Sequence, residues 1–136
     1  MIYQLMPRSF ADADGDGIGD LAGITSKLPY LEWLGVDAIW LTPIYPSPLK
    51  DGGYDITDFT AIHPDLGDLD DLVVLLEQAH SHGIRVILDL VLNHTSVLHP
   101  WFQRARWAGK GSSERDFYVW RDDDHSYAEA PVLFCH

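Results

Sequence analysis

Four aspartates lie close together near the start of the chain, in a loop that also contains glycines. The oxygen donors that this loop offers are four carboxylates and one backbone carbonyl: Asp12, Asp14, Asp16, Ile18 and Asp20. Their spacing matches the first nine positions of a calcium loop, in which alternating oxygens converge on a hard cation. The twelfth position of that pattern is a bidentate Glu, but this chain has Gly23 there, which excludes the helix-loop-helix calcium sensor. The alternative is an acidic turn that stays in water, although four unpaired carboxylates this close would repel one another.

A second polar loop spans residues 51–55. Gly52 and Gly53 let the backbone bend tightly, so that Asp51, Tyr54 and Asp55 are held near one point. Carboxylates accept hydrogen bonds from sugar hydroxyls, and an aromatic ring packs on the apolar face of a pyranose. The loop therefore suits a sugar. The alternative is a plain turn, with Asp51 in water and Tyr54 packed in the core.

A third set of polar residues falls on an apolar run at residues 86–94. The run predicts a strand that is covered on both faces in a parallel sheet. Asp89 lies inside it and needs partners, since an unpaired buried carboxylate costs several kcal/mol. Asn93 and His94 end the run, at the face where barrel enzymes place their sites. A histidine there is also compatible with a purely structural hydrogen-bonding role.

Other histidine chemistries have little support. No Cys or Ser pattern beside His94 indicates a nucleophile triad. His80 and His82 lie two apart on a predicted helix and so do not share a face. His94 and His99 lack a matching acidic ligand pattern, which argues against zinc.

Composition narrows the function classes. The 136 residues suffice for one domain with a sizeable core, and a formal net charge of -12 argues against nucleic acid as a partner. The single cysteine, Cys135, excludes an internal disulfide framework, and no apolar segment is long enough to cross a membrane. The start of the sequence has no signal-peptide layout, so we expect a cytoplasmic protein. The oligomeric state is left open.

The elements that position these residues follow a β-α-β-α-β order. Strands are predicted at residues 2–6, 37–42 and 86–94. The first helix is predicted over residues 21–34, with Ser26 as a cap for its main part. The second begins after Asp68, with Asp71 three residues on, and ends at Gly83. Farther along we expect a short helix at 101–107, a strand at 117–120 and an unfinished apolar segment at 131–134.

Together these motifs resemble the catalytic domain of the α-amylase superfamily, glycoside hydrolase family thirteen. The matching segments cover nearly all of the first hundred residues, in order and at the family's spacing: 2–4, 7–10, the acidic loop, 35–43, 53–56 and 89–96. The resemblance implies an α/β fold, the N-terminal portion of a (β/α)8 TIM barrel with about three β/α units. Residues 1–94 would supply its first three strands and two helices, and residues 95–136 the beginning of the family's inserted domain B.

The resemblance also implies roles for individual residues. His94 corresponds to the histidine that hydrogen-bonds the sugar in the cleavage subsite, Tyr54 to the stacking tyrosine, and Asp51 to the aspartate that holds a terminal glucose. Asp55, Asp89 and Asn93 would support the site. The acidic loop resembles one that binds structural calcium or magnesium, and no organic cofactor is implied.

Within the family, residues 48–55 and 116–122 look most like the branch that interconverts maltose and trehalose. The alternative branch hydrolyses short α-glucosides and usually has Asn where this chain has Gly52. Both use a retaining mechanism, in which a carboxylate nucleophile and a second carboxylic acid act in turn. By family position those catalytic carboxylates would fall beyond His136, so we expect the 136-residue chain alone to be an inactive truncated product.

Overall fold

The computed structural model describes residues 1–121, so the predicted apolar segment at 131–134 lies outside the described residues. One sheet contains three parallel strands in the order β1 (Ile2–Leu5), β2 (Ala38–Leu41) and β3 (Arg85–Leu88). The α-helices are α1 (Pro7–Phe10), α2 (Leu21–Ser26), α3 (Leu28–Trp33), α4 (Leu69–Ser81) and α5 (Pro100–Trp107). Short 3-10 helices lie at Pro64–Leu66 and Arg115–Phe117. The predicted β-α-β-α-β order is confirmed.

The three strands end level with one another. Leu5 is paired with Leu41, and Leu41 with Leu88, so the polar residues that follow each strand start from the same edge of the sheet. A core of fully buried aliphatic side chains joins the sheet to α2, α3 and α4: Leu5, Leu21, Ile24, Leu28, Leu31, Ile39, Leu41 and Leu75. This packing fixes the direction in which the strand ends point.

Helix α4 begins as predicted. The Asp68 side chain accepts hydrogen bonds from the backbone N–H groups of Asp70 and Asp71, and the Asp71 side chain accepts one from the Asp68 amide. This reciprocal capping box satisfies amide groups that the first turn of a helix leaves without intrahelical partners.

The predicted helix over residues 21–34 is wrong in its continuity and its cap. It is divided at Lys27 into α2 and α3, because Pro29 has no N–H to continue the hydrogen-bond ladder. Asp20 caps α2 by accepting from the Gly23 amide, whereas the Ser26 hydroxyl donates to the Gly23 carbonyl within the helix. Helix α1, which was not predicted, starts on Pro7, whose fixed φ suits a first helical turn.

The third strand is shorter and less covered than predicted. β3 ends at Leu88, so Asp89, Asn93 and His94 lie in the segment after it rather than within it. Ile87 and Leu88 are 41% and 36% exposed, which corrects the expectation of burial on both faces. Among the described residues, β3 lies at one edge of this sheet and pairs with β2 alone.

The chain divides into two compact units, Met1–Pro100 and a second that begins at Trp101. The predicted helix at 101–107 is confirmed, but the predicted strand at 117–120 is wrong, since a 3-10 turn occupies Arg115–Phe117. In the second unit, Phe102 stacks on Trp120 with ring centroids 5.7 Å apart. The Arg115 guanidinium also lies over the Trp120 ring, 4.1 Å from its centroid. Trp120, which was predicted to lie in a strand, thus takes part in these ring contacts. Within residues 1–121, no helix has the length and apolar character that a membrane span requires.

Candidate functional site

Asp89 is the central acceptor of the candidate site. Its two carboxylate oxygens accept hydrogen bonds from different elements, Oδ1 from the Trp40 indole N–H at 2.6 Å and Oδ2 from the Tyr54 hydroxyl at 2.8 Å. The Tyr45 hydroxyl donates to the Asp89 backbone carbonyl at 3.1 Å. An indole N–H and a phenol hydroxyl are neutral donors, so the described partners of the Asp89 carboxylate are neutral groups rather than a cation.

This environment also changes the two phenols. Burial, the hydrogen bond to Asp89 and the negative charges of Asp89 and Asp51 together raise the pKa of Tyr54 to about 12. Burial and the Asp89 charge likewise raise the pKa of Tyr45 above its ordinary value. Both phenols therefore remain neutral donors at physiological pH.

The loop before Tyr54 is held by Asp55. Its carboxylate accepts hydrogen bonds from the Ser47 hydroxyl at 2.6 Å and from the amides of Lys50 and Asp51 at 3.1 and 3.2 Å. Burial raises the pKa of Asp55, but these hydrogen bonds outweigh it and leave the pKa below its ordinary value. Asp55 thus fixes the backbone that presents Asp51.

Two glycines complete the turn. Gly52 has φ of 60° and Gly53 of 102°, in the left-handed region that glycine adopts without strain. The Tyr54 amide then donates to the Asp51 carbonyl at 3.0 Å. The turn reverses the chain between Asp51 and Tyr54, so both side chains belong to one compact loop.

His94 lies opposite this loop. Its Nε2 atom is 3.5 Å from Asp51 Oδ2, and its Nδ1 atom is 3.4 Å from the Asn93 side-chain nitrogen. The His94 side chain is 40% exposed and that of Asp51 25%, so both can reach a ligand from solvent. The amide of Ser96 donates to the Ile56 carbonyl at 2.9 Å, which fastens the segment after His94 to the loop.

The structure therefore brings together the predicted substrate-binding and supporting residues from two separate segments: Asp51, Tyr54, Asp55, Asp89, Asn93 and His94. Sequence reasoning missed Trp40 and Tyr45. One available signal was that Trp40 lies near the carboxyl end of a predicted strand, where its indole N–H needs an acceptor. Side-chain hydroxyls, carboxylates and a ring nitrogen that lie this close together can bind a polyhydroxylated ligand.

The acidic loop forms a separate candidate site. Carboxylate oxygens of Asp12, Asp14 and Asp20 lie within 4.8 Å of one another, whereas Asp16 is outside this group. The Gly15 and Gly17 amides donate to Asp12 and hold its pKa below the ordinary value.

Two further amides shape the same loop. The Asp16 carboxylate accepts from the Ile18 amide at 2.7 Å, and Asp20 Oδ2 accepts from the Ala13 amide at 3.0 Å. Each carboxylate oxygen has a second lone pair, and oxygen donors are those that calcium and magnesium prefer. The donor set of the three clustered aspartates thus fits a hard divalent cation.

The chain matches known proteins over nearly its whole length. The sequence model of the protein family "alpha amylase, catalytic domain" matches residues 4–134. The trehalose synthase/amylase TreS of Mycolicibacterium smegmatis is 52% identical over 134 residues, 98% of this chain and 22% of the relative. The glucan 1,6-alpha-glucosidase of Streptococcus dysgalactiae subsp. equisimilis is 54% identical over 125 residues, 92% of this chain and 23% of the relative.

A solved structure gives the same result. The trehalose-6-phosphate hydrolase of Bacillus licheniformis superposes with a TM-score of 0.84 at 52% identity, covering 91% of this chain and 22% of that chain. The chain thus spans about a fifth of the length of the relatives that it matches.

Proposed function

Because the chain belongs to the alpha amylase catalytic-domain family, we propose that the protein that carries it is a trehalose synthase. Such an enzyme interconverts maltose and trehalose by transferring glucosyl groups at α-glucosidic bonds with retention of configuration at the anomeric carbon. Its fold is the N-terminal portion of the family's (β/α)8 barrel, with three of the strands. In the proposal, residues 1–94 belong to that barrel and residues 95–136 begin the inserted domain B.

One observation carries the proposal most strongly: the 3.5 Å approach of His94 Nε2 to Asp51 Oδ2 beside Tyr54. Asp51 can accept hydrogen bonds from sugar hydroxyls and His94 can donate one, so adjacent hydroxyls of one glucose unit can engage both. The Tyr54 ring would pack against the apolar face of the same sugar. These residues bind and orient the glucosyl unit.

Asp89 has a positioning role in this proposal. Both of its carboxylate oxygens already accept hydrogen bonds, from Trp40 and Tyr54, so neither is aimed at a glycosidic bond. A nucleophile needs an oxygen that can reach the anomeric carbon. Asp89 instead fixes the Tyr54 ring in place, and Asn93 and Asp55 hold His94 and Asp51.

The acidic loop is proposed to bind a structural calcium or magnesium ion. The three clustered carboxylates, Asp12, Asp14 and Asp20, support it, and Asp16 and the Ile18 carbonyl complete the proposed set. Such an ion would neutralise the mutual repulsion of these carboxylates and stiffen the loop between α1 and α2.

The proposed location of the protein is the cytoplasm. The chain has a single cysteine and so needs no oxidising compartment for an internal disulfide, which supports this proposal.

The second candidate function is hydrolysis of short α-glucosides. It is favoured by the 54% identity to a glucan 1,6-alpha-glucosidase, which is as high as the identity to the trehalose synthase. The two reactions differ in the acceptor: a synthase returns the glucosyl group to the released glucose, and a hydrolase transfers it to water.

Maltose separates the two functions. The purified full-length protein is incubated with maltose, and its products are resolved by anion-exchange chromatography. Trehalose as the main product supports the synthase, whereas glucose as the sole product overturns it in favour of the hydrolase. Asp51→Asn should reduce turnover sharply, and Asp58→Asn is the matched control, because Asp58 is exposed and its carboxylate accepts hydrogen bonds from the amide and the hydroxyl of Thr60 in its own turn. Equal loss in both variants would contradict the assignment of Asp51.

A further inference from the structure

Arg8 joins α1 to the 3-10 turn at Pro64–Leu66. It lies on α1, directly after β1, and its Nη2 atom donates to Asp65 Oδ2 at 2.8 Å across 57 positions of sequence. The hydrogen bond from Arg8 lowers the pKa of Asp65, helped by the charges of His63 and Arg8. One end of the guanidinium is thus firmly placed.

The other end of the guanidinium has a different environment. Arg8 Nη1 is buried, and among the residues that the structure describes it is the side-chain nitrogen or oxygen atom that is buried without a hydrogen-bond partner. An unpaired buried donor costs about 1–3 kcal/mol, and more when it is charged. Native proteins satisfy nearly all such groups, either with protein atoms or with ordered water.

Arg8 also lines a small recess below the loop of residues 51–55. The other lining residues come from α1, from the segment after β2, from the glycine turn and from the 3-10 turn: Pro7, Thr42, Pro43, Tyr45, Leu49, Gly52, Gly53, His63 and Leu66. The recess leaves about 10 Å³ for the centre of a water molecule, which is room for one.

The recess offers a water the polar partners that it needs. A buried water typically makes about three hydrogen bonds. Besides Arg8, the lining includes Thr42, His63 and Pro43, which carry a hydroxyl group, an imidazole ring and a backbone carbonyl, and that carbonyl oxygen is 3.7 Å from where a side chain on Gly53 would begin. These residues come from α1, from the segment after β2 and from the position before the 3-10 turn at Pro64–Leu66.

We propose that this recess is a binding site for one ordered water molecule, which accepts a hydrogen bond from Arg8 Nη1 and donates to oxygen or nitrogen acceptors of its lining. Through this water, Arg8 is a positioning residue for the Gly52–Gly53 turn that presents Asp51 and Tyr54. The water ties the turn to α1 and, through the Asp65 pair, to the 3-10 turn at Pro64–Leu66. No substrate group takes part in this water site, so the site is the same whichever α-glucoside the protein binds.

The first test is a high-resolution crystal structure of the full-length protein. The expected result is one water peak within hydrogen-bond distance of Arg8 Nη1 and of at least one other polar atom of the recess. A recess without a water peak, a protein acceptor on Nη1, or an Arg8 side chain turned out to solvent would each overturn the proposal.

The second test is hydrogen exchange followed by mass spectrometry on Arg8→Lys, which keeps a positive charge for Asp65 and removes the guanidinium. Arg85→Lys is the matched control, because Arg85 is exposed on β3. Exchange in the peptide that contains residues 47–55 should become about tenfold faster in Arg8→Lys, the factor that corresponds to about 1.4 kcal/mol, and the α4 peptide should be unchanged. Unchanged loop exchange, or an equal rise in the loop and in α4, would contradict the positioning role.

Discussion

The Tyr54 hydroxyl donates to Asp89 Oδ2 at 2.8 Å, although 35 positions of sequence separate the two residues. This bond joins the loop after β2 to the segment after β3. Because the Trp40 indole occupies the other oxygen of the same carboxylate, Asp89 links three parts of the chain at one edge of the sheet. The candidate site therefore depends on one carboxylate that itself faces the protein rather than the ligand.

Removing the charge of Asp89 should destabilise the protein more than removing the Tyr54 hydroxyl. In Asp89→Asn the carboxamide oxygen can accept from the Trp40 indole, but the NH2 group then faces the Tyr54 hydroxyl, which must accept instead of donate, and both hydrogen bonds lose their charged acceptor. Tyr54→Phe removes only one hydrogen bond to a charged acceptor, worth about 1.5–3 kcal/mol. Urea unfolding measures both. Tyr30→Phe is the control, since Tyr30 is 49% exposed. A larger loss of unfolding free energy in Tyr54→Phe than in Asp89→Asn would contradict the central role of Asp89.

Stability should fall in alkali because of Tyr54. Its pKa is about 12 in the folded protein, above the value of 10.0 expected for a free tyrosine. The folded state therefore holds this proton more tightly, so the contribution is fully present below pH 10 and is lost as the pH rises through the folded pKa. Urea midpoints measured across this range should fall less steeply in Tyr54→Phe than in the native protein. Parallel curves would show that Tyr54 does not titrate in this way.

Asp55 should have the opposite effect, in acid. Its folded pKa lies below the ordinary value of 3.8, so its contribution to stability is present above the unfolded pKa and is lost as the pH falls through the folded one. Asp55→Asn should weaken the protein at neutral pH and flatten the acid limb of its stability profile. Circular dichroism during acid titration measures this. Asp116→Asn is the control, because Asp116 is exposed and lies in the second unit. An acid limb as steep as in the native protein would remove Asp55 from the explanation.

Calcium or magnesium should stabilise the protein chiefly through the three clustered aspartates, Asp12, Asp14 and Asp20, with a smaller share from Asp16. A ligand present at 100 times its dissociation constant adds about 2.7 kcal/mol. Thermal melting with and without the ion should show this gain in the native protein and a reduced gain in Asp14→Asn. Asp16→Asn makes the same charge change in the same loop but outside the clustered carboxylates, so it should keep more of the gain. Equal losses in the two variants would give Asp16 full ligand status, and no gain in the native protein would exclude the site.

The sequence by itself determined the features that depend on neighbouring residues. Apolar periodicity placed α4 and the order of strands and helices, Asp68 and Asp71 marked a helix start, and the Gly52–Gly53 pair marked a turn, because hydrogen bonds and backbone angles within a few residues control each of these. The family resemblance then singled out Asp51, Tyr54 and His94 as one group.

Only the tertiary structure decided which groups meet. Trp40 reaches Asp89 across 49 positions and Tyr45 reaches it across 44, and no local pattern encodes such pairings. Asp20 rather than Ser26 supplies the side-chain cap within the region predicted as one helix, and Asp20 also bonds back to Ala13 in the folded loop. The parallel register of β1, β2 and β3 brings the strand ends level, and that alignment turns residues far apart in sequence into one site.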